Sequence, residues 1–224
     1  MNNLFNASPH PALHCGAIQR LRVRIDLSQA APARLPASGR RIDSRPRSAV
    51  TLHIGEVAAS KLPVVLGTLL GSCVAVCMYD PVLGAGGMNH ILLPRCRVGD
   101  MSPRCGVHAM ELLINELMKL GGDRRRFVAK AFGGANVLRG IKMPPIGLGN
   151  ATFVRDFLAT EGIPLVSQRL GGSHAVHVYF RTDTGKATVH TVDGSSLPSI
   201  INEERCYFKS PAGNKEIGDD ITLF

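Results

Sequence analysis

The stretch "GSCVAVCMYDPVLGAGGMNH", residues 71–90, predicts a β-hairpin, because two apolar runs flank a turn signal that begins at Asp80. Apolar residues alternate along 74–78, as in a half-buried strand, and an apolar strand resumes after the turn. A four-residue loop that begins at Asp80 predicts an antiparallel pairing in which Cys73 lies opposite His90. Opposed residues point to the same side of a sheet, with Cβ atoms about 4.5–5.5 Å apart.

Cys73 and His90 are therefore predicted to form a reactive pair. A neighbouring imidazole favours the thiolate, which is the form of cysteine that attacks carbonyl groups. Gly71-Ser72, directly before the cysteine, allows a tight bend that leaves a backbone N–H for an oxyanion. Gly86-Gly87 and Asn89, on the returning strand, are predicted to line a substrate cleft. The spacing alone leaves a second interpretation open, in which the cysteine and the histidine are ordinary core residues.

Turn and cap signals divide the rest of the chain into further strands and helices. An apolar stripe predicts a helix at 108–120, and Asn150 is expected to cap a second helix that runs through residue 161. The sequence "TDTG" at 182–185 predicts a hairpin turn. Predicted strands lie at 51–59, 63–70, 127–132, 163–168, 175–181 and 186–192. This mixed order, without regular βαβ spacing, predicts an α+β layered domain.

Composition predicts one folded domain and a basic arm. The chain has 224 residues, of which 45% are hydrophobic and 5% aromatic, with no tryptophan, so we expect an aliphatic core. Eight arginines against two aspartates give residues 1–50 a net charge of +6, out of +9 for the whole chain. This Pro-, Ala- and Arg-rich arm is expected to be mostly disordered. It lacks the interleaved aromatic residues that stack on bases, so nucleic-acid binding is not predicted.

A membrane span and a metal site are not predicted either. Residues 62–79 carry no charge, but Pro63, two glycines, Thr68 and Ser72 interrupt this run and favour buried strands. Without an apolar signal segment, we expect a cytoplasmic protein with reduced cysteines, among which Cys77 is a small core residue. A zinc site formed by Cys96, Cys105 and His108 is not favoured, because their spacing matches no common metal pattern.

The segments "TLLGSCVAVCMYDP" and "GGMNHILLP" together resemble the signature of the CheD family, chemoreceptor glutamine deamidases of bacterial and archaeal chemotaxis. The resemblance extends over residues 51–224 and includes "AKAFGGANVL" and "IGLGNATFVRDFLATEGIPLV". It implies a catalytic domain at 51–224 with a C-terminal extension from about residue 195. It also implies an α/β/β sandwich with helices on one side, similar to deamidating bacterial toxins. The implied site consists of Cys73, His90 and Thr68, without metal or organic cofactor.

The same resemblance implies an activity. Cys73 would attack the side-chain carboxamide of a glutamine in the cytoplasmic domain of a methyl-accepting chemotaxis receptor and form a thioester. A CheC-type phosphatase is a further implied partner, and we expect a monomer that does not insert into membranes. Two alternatives stay open: a non-catalytic adaptor that binds receptors or the phosphatase, and a thiol hydrolase that acts on receptor methyl esters. Amides and esters give the same thioester, so the sequence does not separate these two reactions.

Overall fold

The computed structural model describes residues 49–92, 105–136 and 146–192. Residues 1–48 of the predicted arm and the extension from about residue 195 lie outside these ranges. The described elements are β1 Val50–Thr51, β2 Val57–Ser60, β3 Val65–Leu70, β4 Val74–Asp80, β5 Ala85–Asn89, α1 Gly106–Lys119, β6 Val128–Gly133, α2 Ile146–Thr160, β7 Leu165–Leu170, β8 Val176–Arg181 and β9 Ala187–Thr191.

The strands form two mixed, mostly antiparallel sheets. One has four strands in the order β1-β3-β8-β9, and the other has five in the order β2-β5-β4-β6-β7. Only the neighbours β1–β3 and β6–β7 of these described strands run parallel. With two helices beside them, these sheets confirm the predicted α+β fold. The β8–β9 hairpin around residues 182–185 is also confirmed, since Gly185 N–H donates to the Arg181 carbonyl at 3.0 Å.

Alternation along β4 divides the core into two layers. Val74, Val76 and Met78 pack with the apolar faces of α1 and α2. Ala75 and Cys77 point the other way and pack with residues of the four-stranded sheet. The described molecule therefore has helices, five-stranded sheet and four-stranded sheet stacked in that order. The likeness to deamidating toxins stays a prediction.

The predicted strand at 51–59 is two strands separated by a turn. Gly55 adopts a φ of 83°, which glycine reaches without steric strain. Glu56 N–H donates to the His53 carbonyl at 2.9 Å, and the Glu56 carboxylate accepts from His53 N–H at 2.8 Å. The turn also holds the histidine segment, because Glu56 O accepts from His90 N–H and Gly55 N–H donates to His90 O.

The β4–β5 hairpin differs by two residues from the predicted register. Asp80 pairs with Ala85, so the loop comprises residues 81–84 and the direct opposition of Cys73 and His90 is wrong. The cause is Asp80 itself. Its Oδ1 accepts from Val82 and Leu83 N–H, and its carbonyl accepts from the N–H of Gly84. Asp80 therefore ends the strand rather than beginning the loop.

Both helices begin earlier than predicted. α1 begins at Gly106 and α2 at Ile146, so Asn150 lies one turn inside α2 and does not cap it. The side chain of Asn150 is buried, and its amide donates to distant carbonyl groups rather than accepting from helix N–H groups. Neither described helix is long and apolar enough to cross a membrane.

The described cysteines differ from one another in state. Cys73 and Cys77 are thiols. Cys105 is disulfide-bonded, so the expectation of reduced cysteines is wrong at this position. Burial raises the pKa of the Cys77 thiol well above its ordinary value, which suppresses its reactivity.

Asp80 also forms an ion pair with the partly exposed Arg126, which joins β4 to the segment before β6. The side chain of Asp80 is inaccessible to solvent, and Arg126 Nη2 donates to Oδ2 at 2.7 Å while the Asp123 N–H donates to the same oxygen at 3.0 Å. The Arg126 guanidinium holds the pKa of this carboxyl well below its ordinary value. The pair therefore stabilises the fold only while Asp80 is ionised.

Asp80→Asn is expected to lower the free energy of unfolding at pH 7 by on the order of 2 kcal/mol, because the substitution removes the charge that accepts hydrogen bonds from Arg126 and from backbone N–H groups. The folded-state pKa is depressed, so the stabilisation is present above the unfolded value of about 4 and is lost as the pH falls below it. The difference between wild type and variant should therefore shrink in acid. Urea unfolding at several pH values measures this effect. Asp183→Asn, which breaks a partly exposed pair with Arg181, is the control and should cost about 1 kcal/mol or less.

Candidate active site

Cys73 and His90 lie at the open end of the β4–β5 hairpin. Val74 and Ile91 exchange both backbone hydrogen bonds, at 3.0 and 2.7 Å, and each directly follows one of the two residues. This register makes Cys73 and His90 diagonal neighbours on one side of the sheet, a relation that spans about 7–8 Å between Cα atoms and is within reach of an imidazole ring. Both side chains are buried, with exposures of 1% and 2%. They face the layer between the two sheets.

Thr68 approaches His90 from the opposite sheet. It lies on β3 and is 2% exposed. Its Oγ1 is 2.9 Å from His90 Nδ1 and donates to the Leu52 carbonyl at 2.8 Å. Each sheet thus contributes part of one hydrogen-bonded chain. The structure brings the predicted Thr68 and His90 into contact and places Cys73 in the same layer.

These hydrogen bonds assign the tautomer of His90. The Thr68 hydroxyl has one proton, and because it donates this proton to Leu52, it accepts one from Nδ1–H. The Leu52 carbonyl also lies 3.5 Å from Nδ1, which favours a proton on that nitrogen. Nε2 then carries the lone pair. It is buried and has no hydrogen-bond partner among the described residues, so it is available to accept a proton.

His90 is neutral at physiological pH. Burial lowers its pKa to about 4, and the nearby His53 acts in the same direction, against the hydrogen bond to Leu52. A neutral imidazole is the form that accepts a proton from a thiol. The lowered pKa of His90 therefore favours proton transfer during attack over the preformed thiolate that the sequence predicted.

Hydrogen bonds to three carbonyl groups fix the backbone around the cysteine. Gly71 O accepts from Ala135 N–H at 2.8 Å, and Cys73 O accepts from Gly134 N–H at 2.7 Å. Between them, Ser72 O accepts from the Asn150 side chain at 3.0 Å. Three consecutive carbonyl groups are thus held by the segment after β6 and by α2. This arrangement gives Gly71 and Ser72 a defined backbone conformation.

Two further glycines allow this close approach, and sequence reasoning missed their role. Gly133 has a φ of 102°, and a Cβ there would lie 2.3 Å from the Cys73 carbonyl oxygen. A Cβ on Gly147 would lie 2.4 Å from the Gly134 oxygen, so α2 packs directly on this segment. The adjacent glycines Gly133-Gly134, directly after an apolar run, were the sequence signal for a close backbone contact at this point. Asn150 was missed because an asparagine near a helix start predicts a cap.

The predicted cleft residues lie in packed parts of the hairpin. A Cβ on Gly86 would meet the Phe180 ring at 2.9 Å, and one on Gly87 would meet the Leu113 side chain at 2.7 Å. Close packing, rather than an open cleft, is what the described residues show at both glycines. Asn89 faces α1: its Oδ1 accepts from Val76 N–H, and its Nδ2 donates to the carbonyl of Ala109.

No group of three or more histidine, cysteine or acidic side chains that are placed to hold a metal ion occurs within 49–92, 105–136 and 146–192. The chemistry that the described site offers is that of a thiol, an imidazole base and oriented peptide groups. These are the components of covalent catalysis by a cysteine hydrolase.

Comparison with known proteins identifies the family. The family model described as "CheD chemotactic sensory transduction" matches residues 93–191. A Xanthomonas euvesicatoria protein named "Probable chemoreceptor glutamine deamidase CheD" is 54% identical over 125 residues, which cover 55% of this chain and 63% of that protein. The chain thus spans just under two thirds of this relative's length.

A longer match comes from Shewanella oneidensis. Its "Probable chemoreceptor glutamine deamidase CheD 1" is 44% identical over 183 residues, or 80% of this chain and 88% of that protein. Among solved structures, the Bacillus licheniformis hypothetical protein YfiH aligns with 56% of this chain and 59% of its own, at 13% identity and a TM-score of 0.35, which is too low to support an inference. The extent and identity of the Shewanella match show that the chain belongs to the CheD family.

Proposed function

We propose that this protein is a chemoreceptor glutamine deamidase, which converts glutamine side chains of methyl-accepting chemotaxis receptors to glutamate. The observation that carries the proposal is the hydrogen-bonded chain from Leu52 through Thr68 to His90, because it leaves Nε2 unprotonated in the layer that contains Cys73. The names of the relatives from Xanthomonas and Shewanella support the choice of substrate.

In the first half-reaction, Cys73 Sγ attacks the carboxamide carbon as His90 Nε2 takes the thiol proton. The negative charge that develops on the amide oxygen is stabilised by backbone N–H groups at Ser72 and Cys73. The tetrahedral intermediate then collapses with cleavage of the C–N bond. His90 returns its proton to the departing nitrogen, so ammonia leaves and the glutamyl group remains on sulfur as a thioester.

In the second half-reaction, water replaces ammonia. His90 Nε2 removes a proton from the water as its oxygen attacks the thioester carbon, and the C–S bond breaks. The proton passes to the Cys73 sulfur, which restores the resting thiol and releases the glutamate side chain. The net reaction consumes one water and produces one ammonia, so it needs no cofactor.

Thr68 orients the imidazole in both half-reactions by accepting from Nδ1–H. Thr68→Val keeps the shape of the side chain but removes the hydroxyl, so the ring loses the contact that fixes its tautomer. We expect kcat to fall on the order of 100-fold with little change in KM. Thr68→Ser retains the hydroxyl and should keep most of the activity. Equal activities of Thr68→Val and wild type, in steady-state assays of ammonia release, would contradict this role.

Intact-mass analysis of a receptor cytoplasmic fragment tests the proposal directly. Deamidation adds about 1 Da per site, whereas hydrolysis of a methyl ester removes about 14 Da, although both pass through a cysteine thioester. A gain in mass that depends on the protein supports deamidation. A loss would indicate an esterase, and an unchanged mass together with stable binding would indicate an adaptor. As part of the proposal, the protein is cytoplasmic, acts as a monomer and binds a CheC-type phosphatase. Size-exclusion chromatography tests the monomeric state, and titration with the phosphatase tests the binding.

A further inference from the structure

Asn150 joins the two chain segments that carry the cysteine and the histidine. Its side chain is fully buried, and Nδ2 donates to Ser72 O at 3.0 Å and to Leu92 O at 2.9 Å. Ser72 directly precedes Cys73, and Leu92 lies two residues after His90. We propose that Asn150 is a positioning residue, which holds the Ser72–Cys73 peptide in the orientation that deamidation requires. This inference rests on the proposed function.

A primary amide suits this position because its NH₂ group carries two donors on one atom. One side chain on α2 therefore satisfies two carbonyl groups from separate chain segments, one before β4 and one after β5. Alanine would remove both donors, and aspartate would place a carboxylate against two carbonyl oxygens. Asn150 Oδ1 is buried and has no hydrogen-bond partner among the described residues. The two donors are thus what this residue supplies.

The hydrogen bond to Ser72 O also sets the direction of the N–H of Cys73. No cis peptide bond occurs in the described ranges, and in a trans peptide the C=O and N–H groups point in opposite directions. Because Ser72 O points to Asn150, the Cys73 N–H points away from α2. The peptides on both sides are fixed in the same way, through Gly71 O and Cys73 O. Three hydrogen bonds therefore fix these consecutive peptides, two from backbone N–H groups and one from the side chain of Asn150.

Loss of this contact would allow the Ser72–Cys73 peptide to rotate, while its neighbours stay in place. The oxyanion that forms during attack would then lose an aligned donor. Because the charge develops only in the transition state, the loss should reduce kcat and leave KM nearly unchanged. Removal of one oxyanion donor typically lowers kcat by about 10²–10³-fold. Alkylation of the thiol forms no oxyanion, so its rate should change much less.

The test compares Asn150→Ala with Val154→Ala in the full-length protein. Val154 lies one turn further along α2 and is fully buried in the core next to the helices, so its truncation destabilises the same helix without touching Ser72 or Leu92. For each variant, the melting temperature, the kcat and KM for ammonia release from a receptor fragment, and the rate of Cys73 alkylation by iodoacetamide are measured.

We expect both variants to lose melting temperature, but only Asn150→Ala to lose about 100-fold or more in kcat. Its KM and its alkylation rate should stay within about three-fold of wild type. Equal kcat values for the two variants would show that Asn150 has a merely structural role and would overturn the inference. The proposed function would still stand in that case, provided that the wild-type protein releases ammonia. An inactive wild type would overturn the proposed function and this inference with it.

Discussion

Cys73→Ala is expected to abolish the release of ammonia from receptor glutamines while the fold stays intact. The proposed reaction passes through a thioester on this sulfur, so no covalent route remains when the sulfur is removed. In other enzymes, loss of the nucleophile costs about 10⁴-fold or more in kcat. Ammonia release and the mass of a receptor fragment measure the loss, and circular dichroism checks the fold.

Cys77→Ala is the matched control for this result. Cys77 lies on the same side of β4 as Cys73 and is equally buried, with an exposure of 1%. Burial raises the pKa of its thiol, so it contributes packing and not reactivity. We expect full activity with a loss of stability of about 1 kcal/mol from the small cavity. An inactive Cys77→Ala beside an active Cys73→Ala would reverse the assignment of the nucleophile.

His90→Ala should produce the second largest loss of activity, about 10³-fold in kcat, because the same nitrogen moves a proton in every step. Burial lowers the pKa of His90 to about 4, so the neutral base is present above that pH and is lost below it. In wild type, kcat/KM should therefore stay level from pH 7 to pH 5 and fall near pH 4. The residual activity of the variant should lack this fall.

Iodoacetamide alkylation of Cys73 supplies a readout that does not need a substrate. His90→Ala removes the base that accepts the thiol proton, so alkylation at neutral pH should slow. His108→Ala changes a histidine on α1 that makes none of the contacts of the site, and it should leave the rate unchanged. Identical alkylation profiles in wild type and His90→Ala would show that the cysteine and the histidine are not coupled.

Local chemistry explains how much of the hairpin could be predicted. The alternation along 74–78 and the turn after it are properties of adjacent residues, so the two strands and the approach of Cys73 to His90 followed from the sequence. The register did not follow, because the Asp80 side chain binds the N–H groups of its own loop and so belongs to the strand. Thr68 came only from the resemblance, since a contact between two sheets leaves no signal in local spacing.

The supporting residues were harder to predict because their partners are distant in sequence. Asn150 is separated from Ser72 by 78 residues, and nothing near it indicates that two carbonyl groups will face α2. A helix that begins at Ile146 rather than at Asn150 changes the residue from a cap into a buried donor. Gly133 is similar, because the atom that excludes a Cβ there belongs to Cys73, which is 60 residues away in sequence and directly precedes β4.

The hydrogen bond between Thr68 and His90 spans the gap between the two sheets, so the proposed catalysis depends on the distance between those sheets. Side chains such as Leu66, Met88 and Phe180 fill that gap and are fully buried. A change of one methylene among them, tolerable for folding, would lengthen or compress a contact of 2.9 Å on which the base depends. Selection for turnover would therefore act on the volume of these core side chains, even though none of them contacts a substrate. Turnover would in turn report on core packing more sensitively than a melting curve does.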